Sequence, residues 1–279
     1  MGCGRQGAYL AAALDRGGWT VAVVDRNPEA LARLPGCLAR SCFVGDALKG
    51  DTLEQAGITE AHALLAATAP DHRNCVIAAL GRSLGLPHAI ARVRDPSSVQ
   101  LECLGIETVC PTTLEIRDLL LVIDGLRAET TKTLQILVAG CGHLGSNLAS
   151  ALAREGGHRV VVVDANGAAL EGLRAETFSG ALVEGDATEP STLRGARIED
   201  ADLVVTATRD DDVNLMIAAL AQRLFGVRDV LARVCDPERE AMVRDLGFTT
   251  VCPTRLGGEV ILGLLGRDPG AHGPGARSA

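Results

Sequence analysis

The chain has 279 residues, 47% of them hydrophobic and 22% charged, which is the composition of a globular protein with one large core or two ordinary ones. The net charge of −8 and the pI near 5.3 argue against nucleic acid or an anionic membrane as a main partner, and no apolar run reaches the roughly 18 residues of a membrane span. With one Trp, one Tyr and four Phe, the core must consist of Ala, Val, Leu and Ile, which favours buried parallel strands covered by helices.

The first residues form a glycine-rich loop. Residues 2–7 read GCGRQG, so that Gly2, Gly4 and Gly7 complete the pattern G-x-G-x-x-G. In this pattern the first glycine makes a tight turn, the second lets the backbone approach a pyrophosphate, and the third lets a helix pack against a strand. The helix N-terminus then offers N–H groups and a positive dipole end to the phosphates. Such a loop normally follows a β-strand, but only Met1 precedes it here.

The first strand-like run after this loop is VAVVD at residues 21–25. It ends in Asp25, 18 residues past Gly7, where a carboxylate meets the ribose hydroxyls of NAD-type cofactors. A carboxylate there repels the 2′-phosphate of NADP and favours NAD(H) or an adenine nucleotide, although Arg26 weakens the discrimination. Arg5, within the loop, is either a ligand of a terminal phosphate or a solvated first-turn arginine.

Two further candidate residues lie in the first half of the chain. Asp46, within Gly-Asp-Ala at 45–47, is placed either to bond the adenine edge or to cap the next helix. Thr68 ends a later strand beside the expected cofactor cleft, and turn capping is the alternative role.

A helix-like stretch at 113–132 then connects the two halves and is a candidate hinge. We expect its apolar face to pack between the two halves or against another copy of the chain, and a plain inter-domain helix is the alternative. This face comprises Leu114, Leu120, Leu121, Ile123 and Leu126.

The second half repeats the first, which indicates a tandem duplication of a unit of roughly 140 residues. The offset between matching segments grows only from 138 to 142. The matches are GCGRQG (2–7) with GCGHLG (140–145), VAVVD (21–25) with VVVVD (160–164), FVGDA (43–47) with LVEGDA (182–187), DHRN (71–74) with DDVN (211–214), ARVRDP (91–96) with ARVCDP (232–237), and LGIETVCPT (104–112) with LGFTTVCPT (246–254).

The second copy shows strands and helices in strict alternation, which predicts a doubly wound parallel sheet. Its predicted strands are 133–140, 158–164, 180–185, 202–208, 230–234 and 248–252. Its predicted helices are 143–157, 167–175, 189–195, 211–225 and 237–246.

The second copy supplies the same candidate binding site. Asp164 lies 19 residues past Gly145, and Ala165 leaves its discrimination against NADP clear. His143 is either a helix-start residue or a proton carrier. The candidate residues of this copy are Gly140, Gly142, His143, Leu144, Gly145, Asp164, Asp186 and Thr208.

The first copy has no counterpart of TLQILVAG at 133–140. In the order 3-2-1-4-5-6 that strand is central, so strands 2 and 4 would face each other across roughly 9–10 Å with unpaired backbone groups. We therefore expect some six to eight strand residues upstream of Met1; the alternative is a degenerate copy that borrows a strand or stays loose. The predicted layout is two tandem Rossmann-like α/β domains at 1–112 and 133–256, the connector at 113–132, and a helix end with a disordered tail at 257–279.

The chain resembles the nucleotide-binding domain of bacterial potassium-uptake regulators, the Trk-type N-terminal or RCK domain. In the second copy the likeness rests on GCGHLG, Asp164, GDA at 185–187, AT at 207–208, Asn214 and LARV at 231–234. In the first it rests on GCGRQG, Asp25, GDA at 45–47, AT at 67–68, Asn74 and IARV at 90–93. The separate C-terminal ligand-binding module that often follows each such domain has no room here.

The resemblance implies a cytoplasmic regulatory subunit, peripheral to the inner face of the membrane, that binds NAD(H), ATP or ADP and controls a potassium transporter or channel. It also implies a homo-oligomer. Carried across, the glycines and Asp164 would hold pyrophosphate and ribose, Asp186 and Ala187 would lie near the adenine, and Arg5 would contact a phosphate.

The alternatives are an NAD-dependent oxidoreductase and an NAD-binding scaffold unrelated to potassium. A short-chain dehydrogenase needs Tyr-x-x-x-Lys, but the only tyrosine is Tyr9 and Ala13 stands where the lysine would be. No P-loop is present, and both halves form the cofactor fold itself, which leaves no second lobe for a substrate. We therefore expect a sensor rather than an enzyme. The nine cysteines include no C-x-x-C, so we expect no metal site and small thiols in a reducing compartment, with a redox-sensing role left open.

Overall fold

The computed structural model describes residues 1–94, 105–128, 132–176 and 178–266. The strands are β1 (Val23–Asp25), β2 (Cys42–Val44), β3 (Ala63–Ala66), β4 (His88–Arg92), β5 (Glu107–Val109), β6 (Leu134–Ala139), β7 (His158–Asp164), β8 (Ala181–Glu184), β9 (Leu203–Thr206), β10 (Asp229–Arg233) and β11 (Thr249–Val251). The helices are α1 (Arg5–Arg16), α2 (Pro28–Leu31), α3 (Gly50–Gln55), α4 (Asp71–Ser83), α5 (Pro111–Ala128), α6 (His143–Glu155), α7 (Gly167–Ala175), α8 (Pro190–Gly195), α9 (Asp211–Ala219), α10 (Pro237–Asp245) and α11 (Pro253–Leu265).

The chain divides into two compact units. The first unit contains Met1–Pro111 and the described residues from Thr254 onward, and the second contains Thr112–Pro253. Each unit thus carries the helix that follows the other unit along the chain, α11 in the first and α5 in the second. In the predicted layout, 113–132 is a connector between the two domains and 257–279 is a helix end with a tail, so the unit boundaries differ from it at these two helices. The predicted disordered tail, from residue 267 on, lies outside the described residues.

The second unit contains a six-stranded sheet with every strand parallel, in the order β11-β10-β9-β6-β7-β8. This order confirms the predicted doubly wound α/β fold, because it is the sequence 6-5-4-1-2-3 of that topology. The central strand β6 pairs with β7 from Leu134↔His158 to Ala139↔Val163, and with β9 from Ile136↔Leu203 to Ala139↔Thr206. All four residues of β9 are buried, as expected for a parallel strand covered on both faces.

The first unit splits the same sheet into two parts. β1 and β2 form a two-stranded parallel sheet, and β3, β4 and β5 form a separate three-stranded one. Each of these strands matches one strand of the second unit in order, but nothing in the described part of this unit matches β6. β1 has only three residues, whereas its counterpart β7 has seven. The described residues of the first unit therefore contain no central strand, as the sequence predicts.

A buried ion pair ties α5 to the sheet of the second unit. Glu115 is fully buried, and its carboxylate accepts hydrogen bonds from Arg233 Nε at 2.7 Å and Nη2 at 3.2 Å. Burial raises the pKa of Glu115, and the paired guanidinium offsets only part of that rise. Glu115, Leu119 and Ile123, four residues apart, form the buried stripe of α5, whereas Leu121 is 62% exposed. Leu121, which was predicted to share an apolar face with Ile123, lies off this stripe, and the packing of that face against another copy of the chain stays a prediction.

The first unit has no ion pair at the equivalent position, where buried polar atoms lack hydrogen-bond partners among the described residues. In the repeat, Gly257 stands where Glu115 would be, Arg92 matches Arg233, and Gln6 matches Leu144. A Cβ on Gly257 would lie only 2.2 Å from Gln6 Nε2, so the Gln6 amide fills this space. Neither Gln6 Nε2 nor Arg92 Nε has a hydrogen-bond partner among the described residues. The equivalent position within each unit is therefore stabilised by a different interaction.

We predict that Glu115→Ala lowers the free energy of unfolding of the second unit by about 3–5 kcal/mol, because Arg233 then becomes a buried, uncompensated charge. Chemical denaturation measures the loss. Glu171→Ala is the matched control, since Glu171 pairs with Arg174 on an exposed face of α7 in the same unit and such a pair contributes about 0.5 kcal/mol or less. Equal stabilities of the two variants would contradict the role assigned to Glu115.

Candidate functional site

The candidate site lies at the carboxyl edge of the six-stranded sheet, where the strand order reverses beside β6. Open α/β sheets bind ligands in the crevice at this point. Gly140 N donates to Val163 O at 2.7 Å on one side, and Ala207 N donates to Ala139 O at 2.7 Å on the other. These bonds hold the glycine loop between the ends of β7 and β9. The structure thus brings the loop, Asp164 and Thr208 together.

Two of the three glycines in this loop are required by the fold itself. Gly140 has a φ of +111°, a conformation that favours glycine, and a Cβ there would lie 2.9 Å from Thr208 N. A Cβ on Gly145 would fall 1.8 Å from Gly140 O, so the helix can approach the loop only without a side chain.

The fold does not require glycine at the middle position of the loop. Gly142 has a φ of −73°, which any residue adopts, and a Cβ on it would meet no atom within 4 Å. It is the N-cap of α6, and no side chain caps the helix there. The chain therefore keeps an open, uncapped helix N-terminus at the crevice.

The first unit repeats this arrangement around Gly2, Gly4 and Gly7. Gly2 has a φ of +90°, and a Cβ on Gly7 would fall 1.9 Å from Gly2 O. Gly4 has a φ of −71° and open space where its Cβ would be, and it is the uncapped N-cap of α1. In both copies, therefore, the fold requires the first and third glycines and leaves open space at the middle one.

We predict that Gly145→Ala and Gly142→Ala differ sharply in stability. Gly145→Ala forces backbone atoms apart and should lower the unfolding temperature strongly or abolish soluble expression. The free energy of unfolding of Gly142→Ala should stay within about 1 kcal/mol of the parent. Alanine is a poorer N-cap than glycine, but it also lowers the conformational entropy of the unfolded chain, and the two effects nearly cancel. Circular dichroism melting of both variants measures the difference. A Gly142→Ala variant as unstable as Gly145→Ala would refute the distinction.

Both strand-end acids are tied to the glycine loop. Asp164 Oδ2 accepts from Cys141 N at 2.5 Å, and Oδ1 accepts from Asn166 N at 2.7 Å. Asp25 makes the equivalent bonds, from Cys3 N at 2.6 Å and from Asn27 N at 2.8 Å. Each carboxylate oxygen keeps further acceptor capacity, so the acid can hold the loop and still receive a ribose hydroxyl.

The threonine two residues past β3 or β9 is fixed by an asparagine whose role the sequence did not reveal. Asn214 Oδ1 accepts from the Thr208 backbone N–H at 3.0 Å and from its hydroxyl at 2.7 Å, and Nδ2 donates to Thr208 O and Arg233 O. Asn74 and Thr68 repeat this geometry, and both asparagines are fully buried. The recurrence of Asn in DHRN and DDVN was the available signal. The Thr68 hydroxyl donates to Asn74 Oδ1, whereas Thr208 Oγ1 contacts both Asn214 Oδ1 and Asp210 O and accepts from Asp210 N at 3.3 Å, so the protein itself fixes both threonines.

The second Gly-Asp-Ala sequence forms a tight turn after β8. Asp186 Oδ1 accepts from the backbone N–H and the hydroxyl of Thr188, at 2.8 and 2.7 Å. The backbone hydrogen bond from Thr188 lowers the pKa of this exposed carboxyl. Ala187 is buried in the hydrophobic core of the unit, so its side chain packs inward.

Asp46, at the equivalent place in the first unit, is held by two arginines. Arg26 Nη2 donates to Asp46 Oδ2 at 2.7 Å, and Arg73 donates to Oδ1. The backbone hydrogen bond from Leu48 and the charge of Arg26 lower the pKa of Asp46. The second unit has Ala165 and Val213 at the two arginine positions. The two candidate clefts therefore differ in charge.

The remaining predicted site residues lie at the two helix starts. Arg5 and His143 are exposed, beside the open glycines Gly4 and Gly142. Leu144 is buried, so only its backbone can face a ligand. Burial raises the pKa of the loop thiols Cys3 and Cys141 to about 11, which keeps both protonated at neutral pH.

In the described ranges, no helix is long and apolar enough to cross a membrane. The same part of the chain holds no group of three or more His, Cys, Asp or Glu side chains that could bind a metal ion.

Comparison with known proteins supplies the family context of this site. The family model described as the TrkA-N domain matches residues 1–111 and 136–254. The Trk system potassium uptake protein TrkA of Streptomyces coelicolor is 36% identical over 132 residues, which are 47% of this chain and 58% of that protein. This chain therefore spans little more than half the length of that relative.

Two solved structures have the same fold. GsuK bound to ADP superposes with a TM-score of 0.77 at 24% identity, over 94% of this chain and 67% of that one. The GsuK channel bound to NAD superposes with a TM-score of 0.75 at 17% identity, over 94% of this chain and 62% of that one. At these identities the likeness shows the fold alone.

Proposed function

Because the chain belongs to the TrkA-N domain family, as its motifs predicted, we propose that both units bind an adenine nucleotide and that the protein regulates potassium transport across a membrane. In this proposal each ligand lies at the carboxyl edge of its sheet. Its phosphates face the uncapped N-terminus of α1 or α6, and a ribose faces Asp25 or Asp164.

The observation that carries the proposal is the open middle glycine. Gly4 and Gly142 both have an ordinary φ and empty space where a Cβ would be, although glycine loses more conformational freedom on folding than any other residue. A pyrophosphate that approaches the backbone explains both positions, because a Cβ would stand between the phosphate oxygens and the helix N–H groups.

NAD(H) is the favoured ligand, with ATP or ADP as further candidates. Asp164 presents a carboxylate where the 2′-phosphate of NADP would lie, and Ala165 offers no positive charge beside it. Arg26 and Arg73 soften this discrimination in the first unit. The relatives support an adenine ligand, since one GsuK structure holds ADP and another holds NAD.

The names of the similar proteins support a regulatory role in potassium transport. The Streptomyces relative is named a potassium uptake protein, and GsuK is described as a channel. A nucleotide can switch such a partner if it binds two conformations of the regulator unequally, typically by about 1–3 kcal/mol. We propose a cytoplasmic homo-oligomer that reaches the inner face of the membrane through a transporter or channel subunit.

An NAD-dependent oxidoreductase remains the alternative in a different class. Ala13 stands four residues after Tyr9, where short-chain dehydrogenases have lysine, and His143 is exposed at a helix start. Sustained NADH turnover on alcohols or acids would favour this alternative.

We predict two binding events per chain, one lost with each open glycine. Saturation at about 100 times Kd stabilises a unit by about 2.7 kcal/mol, which raises its melting temperature by roughly 5–10 °C. NAD+, NADH, ADP and ATP should do this, and NADP should do so weakly. Calorimetric titration should give two sites for the parent, one for Gly4→Ala or Gly142→Ala, and none for the double variant.

The variants also serve as controls, because their stability without ligand should match the parent. Unchanged nucleotide binding by the double variant would reject the proposed site.

The regulatory claim requires a transport partner. We predict that the tagged chain co-purifies from membranes of its source cells with a potassium transporter or channel, detected by mass spectrometry. Recovery should differ between NADH-loaded and ADP-loaded samples, and the Gly4→Ala/Gly142→Ala double variant should lose this difference. If no potassium transport protein is recovered in any nucleotide state, the scaffold alternative is preferred.

A further inference from the structure

Two buried hydrogen-bond donors of the first unit meet no acceptor among the described residues. One is the side-chain amide of Gln6 in the first turn of α1, a residue that is only 8% exposed. Its Nε2 has no hydrogen-bond partner, and the same is true of the guanidinium Nε of Arg92 at the end of β4. A buried donor without an acceptor costs free energy, and the cost is largest for a charged group.

The second unit shows which kind of acceptor suits this place. Arg233, the counterpart of Arg92, donates from Nε and Nη2 to the carboxylate of Glu115 at 2.7 and 3.2 Å. An aliphatic residue, Leu144, matches Gln6 in the repeat. One carboxylate thus neutralises the guanidinium of the second unit, and no side-chain amide takes part.

In the first unit the Gln6 amide takes over only part of the space that the glutamate occupies. Gly257 matches Glu115 in the repeat, and a Cβ on Gly257 would lie 2.2 Å from Gln6 Nε2. The amide therefore stands where the glutamate side chain begins. The carboxylate at the far end of that side chain has no counterpart among the described residues, and the two N–H donors border the place where it would lie.

The electrostatics of this place favour an anion. Burial lowers the pKa of Arg92, because it disfavours the charged guanidinium, and the positive charge of Arg94 lowers it further. The charge of Asp71 counters this effect, but Asp71 accepts hydrogen bonds from the Arg94 backbone N–H at 2.8 Å and from Arg94 Nε at 3.2 Å. An anion beside Arg92 would offset both the desolvation and the repulsion.

We propose that the first unit binds a small monovalent anion, a halide or the carboxylate of a small molecule, between Gln6 Nε2 and Arg92 Nε. One guanidinium requires one negative charge, as Glu115 supplies in the second unit, and a dianion would remain partly uncompensated. Because the anion pairs with a buried cation, its binding stabilises the first unit. The inference is independent of nucleotide binding.

The test compares the full chain with a variant that carries its own acceptor. Gln6→Leu/Gly257→Glu gives the first unit the residues of the second, so the introduced carboxylate should pair with Arg92 and exclude the anion. Sodium chloride or sodium acetate replaces sodium sulfate at constant ionic strength, without nucleotide. Sulfate stabilises folded proteins in general, so the difference between parent and variant is the quantity compared.

Thermal melting and hydrogen exchange are the readouts. Chloride or acetate at ten times its Kd should raise the melting temperature of the parent's first unit by roughly 3–5 °C relative to the variant. The same anions should slow exchange of fragments covering 88–92 and 254–265 in the parent alone. Equal responses of parent and variant, or no response of the parent to either anion, would overturn the proposal.

A reciprocal variant keeps the test decisive if the first does not fold. Leu144→Gln/Glu115→Gly gives the second unit the residues of the first, so chloride should slow exchange of fragments covering 229–233 in this variant and not in the parent. A variant that is folded but unresponsive counts against the proposal.

Crystals grown with bromide locate the anion directly. We expect an anomalous peak in hydrogen-bonding contact with Gln6 Nε2 and Arg92 Nε. The absence of this peak would overturn the proposal. So would a phosphate of bound ATP at the same position, because it would assign the two donors to the nucleotide.

Discussion

Two backbone hydrogen bonds at the end of the central strand fix the glycine loop, and the geometry of the candidate site depends on them. In the second unit Gly140 N bonds to Val163 O, and Ala139 O receives Ala207 N. They fix the glycine loop at the reversal of strand order, beside the strand-end acid and the start of α6. The first unit keeps both bonds, at Met1 and Gly2, although its described residues hold no counterpart of β6. The loop geometry therefore depends on the last residue of the strand, and the integrity of the sheet depends on the others.

The two copies have kept the same loop and changed its surroundings. In the second unit a buried Glu115–Arg233 pair secures α5, and Asp186 accepts hydrogen bonds only from Thr188, an uncharged residue of the same turn, among the described residues. In the first, Gln6 fills the space over Gly257, and Asp46 is neutralised by arginines. A duplicated unit with unequal clefts can bind two nucleotides with unequal affinity. A regulatory response requires in addition that a nucleotide bind two conformations of the protein unequally.

The sequence predicted the strands of the second unit, their parallel order and the vacancy in the first, because apolar runs and the repeat report on them directly. It could not predict that α5 belongs to the second unit, since that depends on Glu115 meeting Arg233, 118 residues away. The arginine pair on Asp46 was equally invisible, because Arg73 lies on α4. The motif identified three glycines alike, and only the surrounding atoms distinguish the open Gly142 from the enclosed Gly140 and Gly145.

The most direct measurement is a crystal structure of the protein with saturating NAD+. We predict density for a pyrophosphate against the backbone N–H groups at the start of α6, within van der Waals contact of the Gly142 Cα, and a ribose whose hydroxyls donate to Asp164. An empty crevice at this edge, or a nucleotide bound elsewhere on the unit, would contradict it.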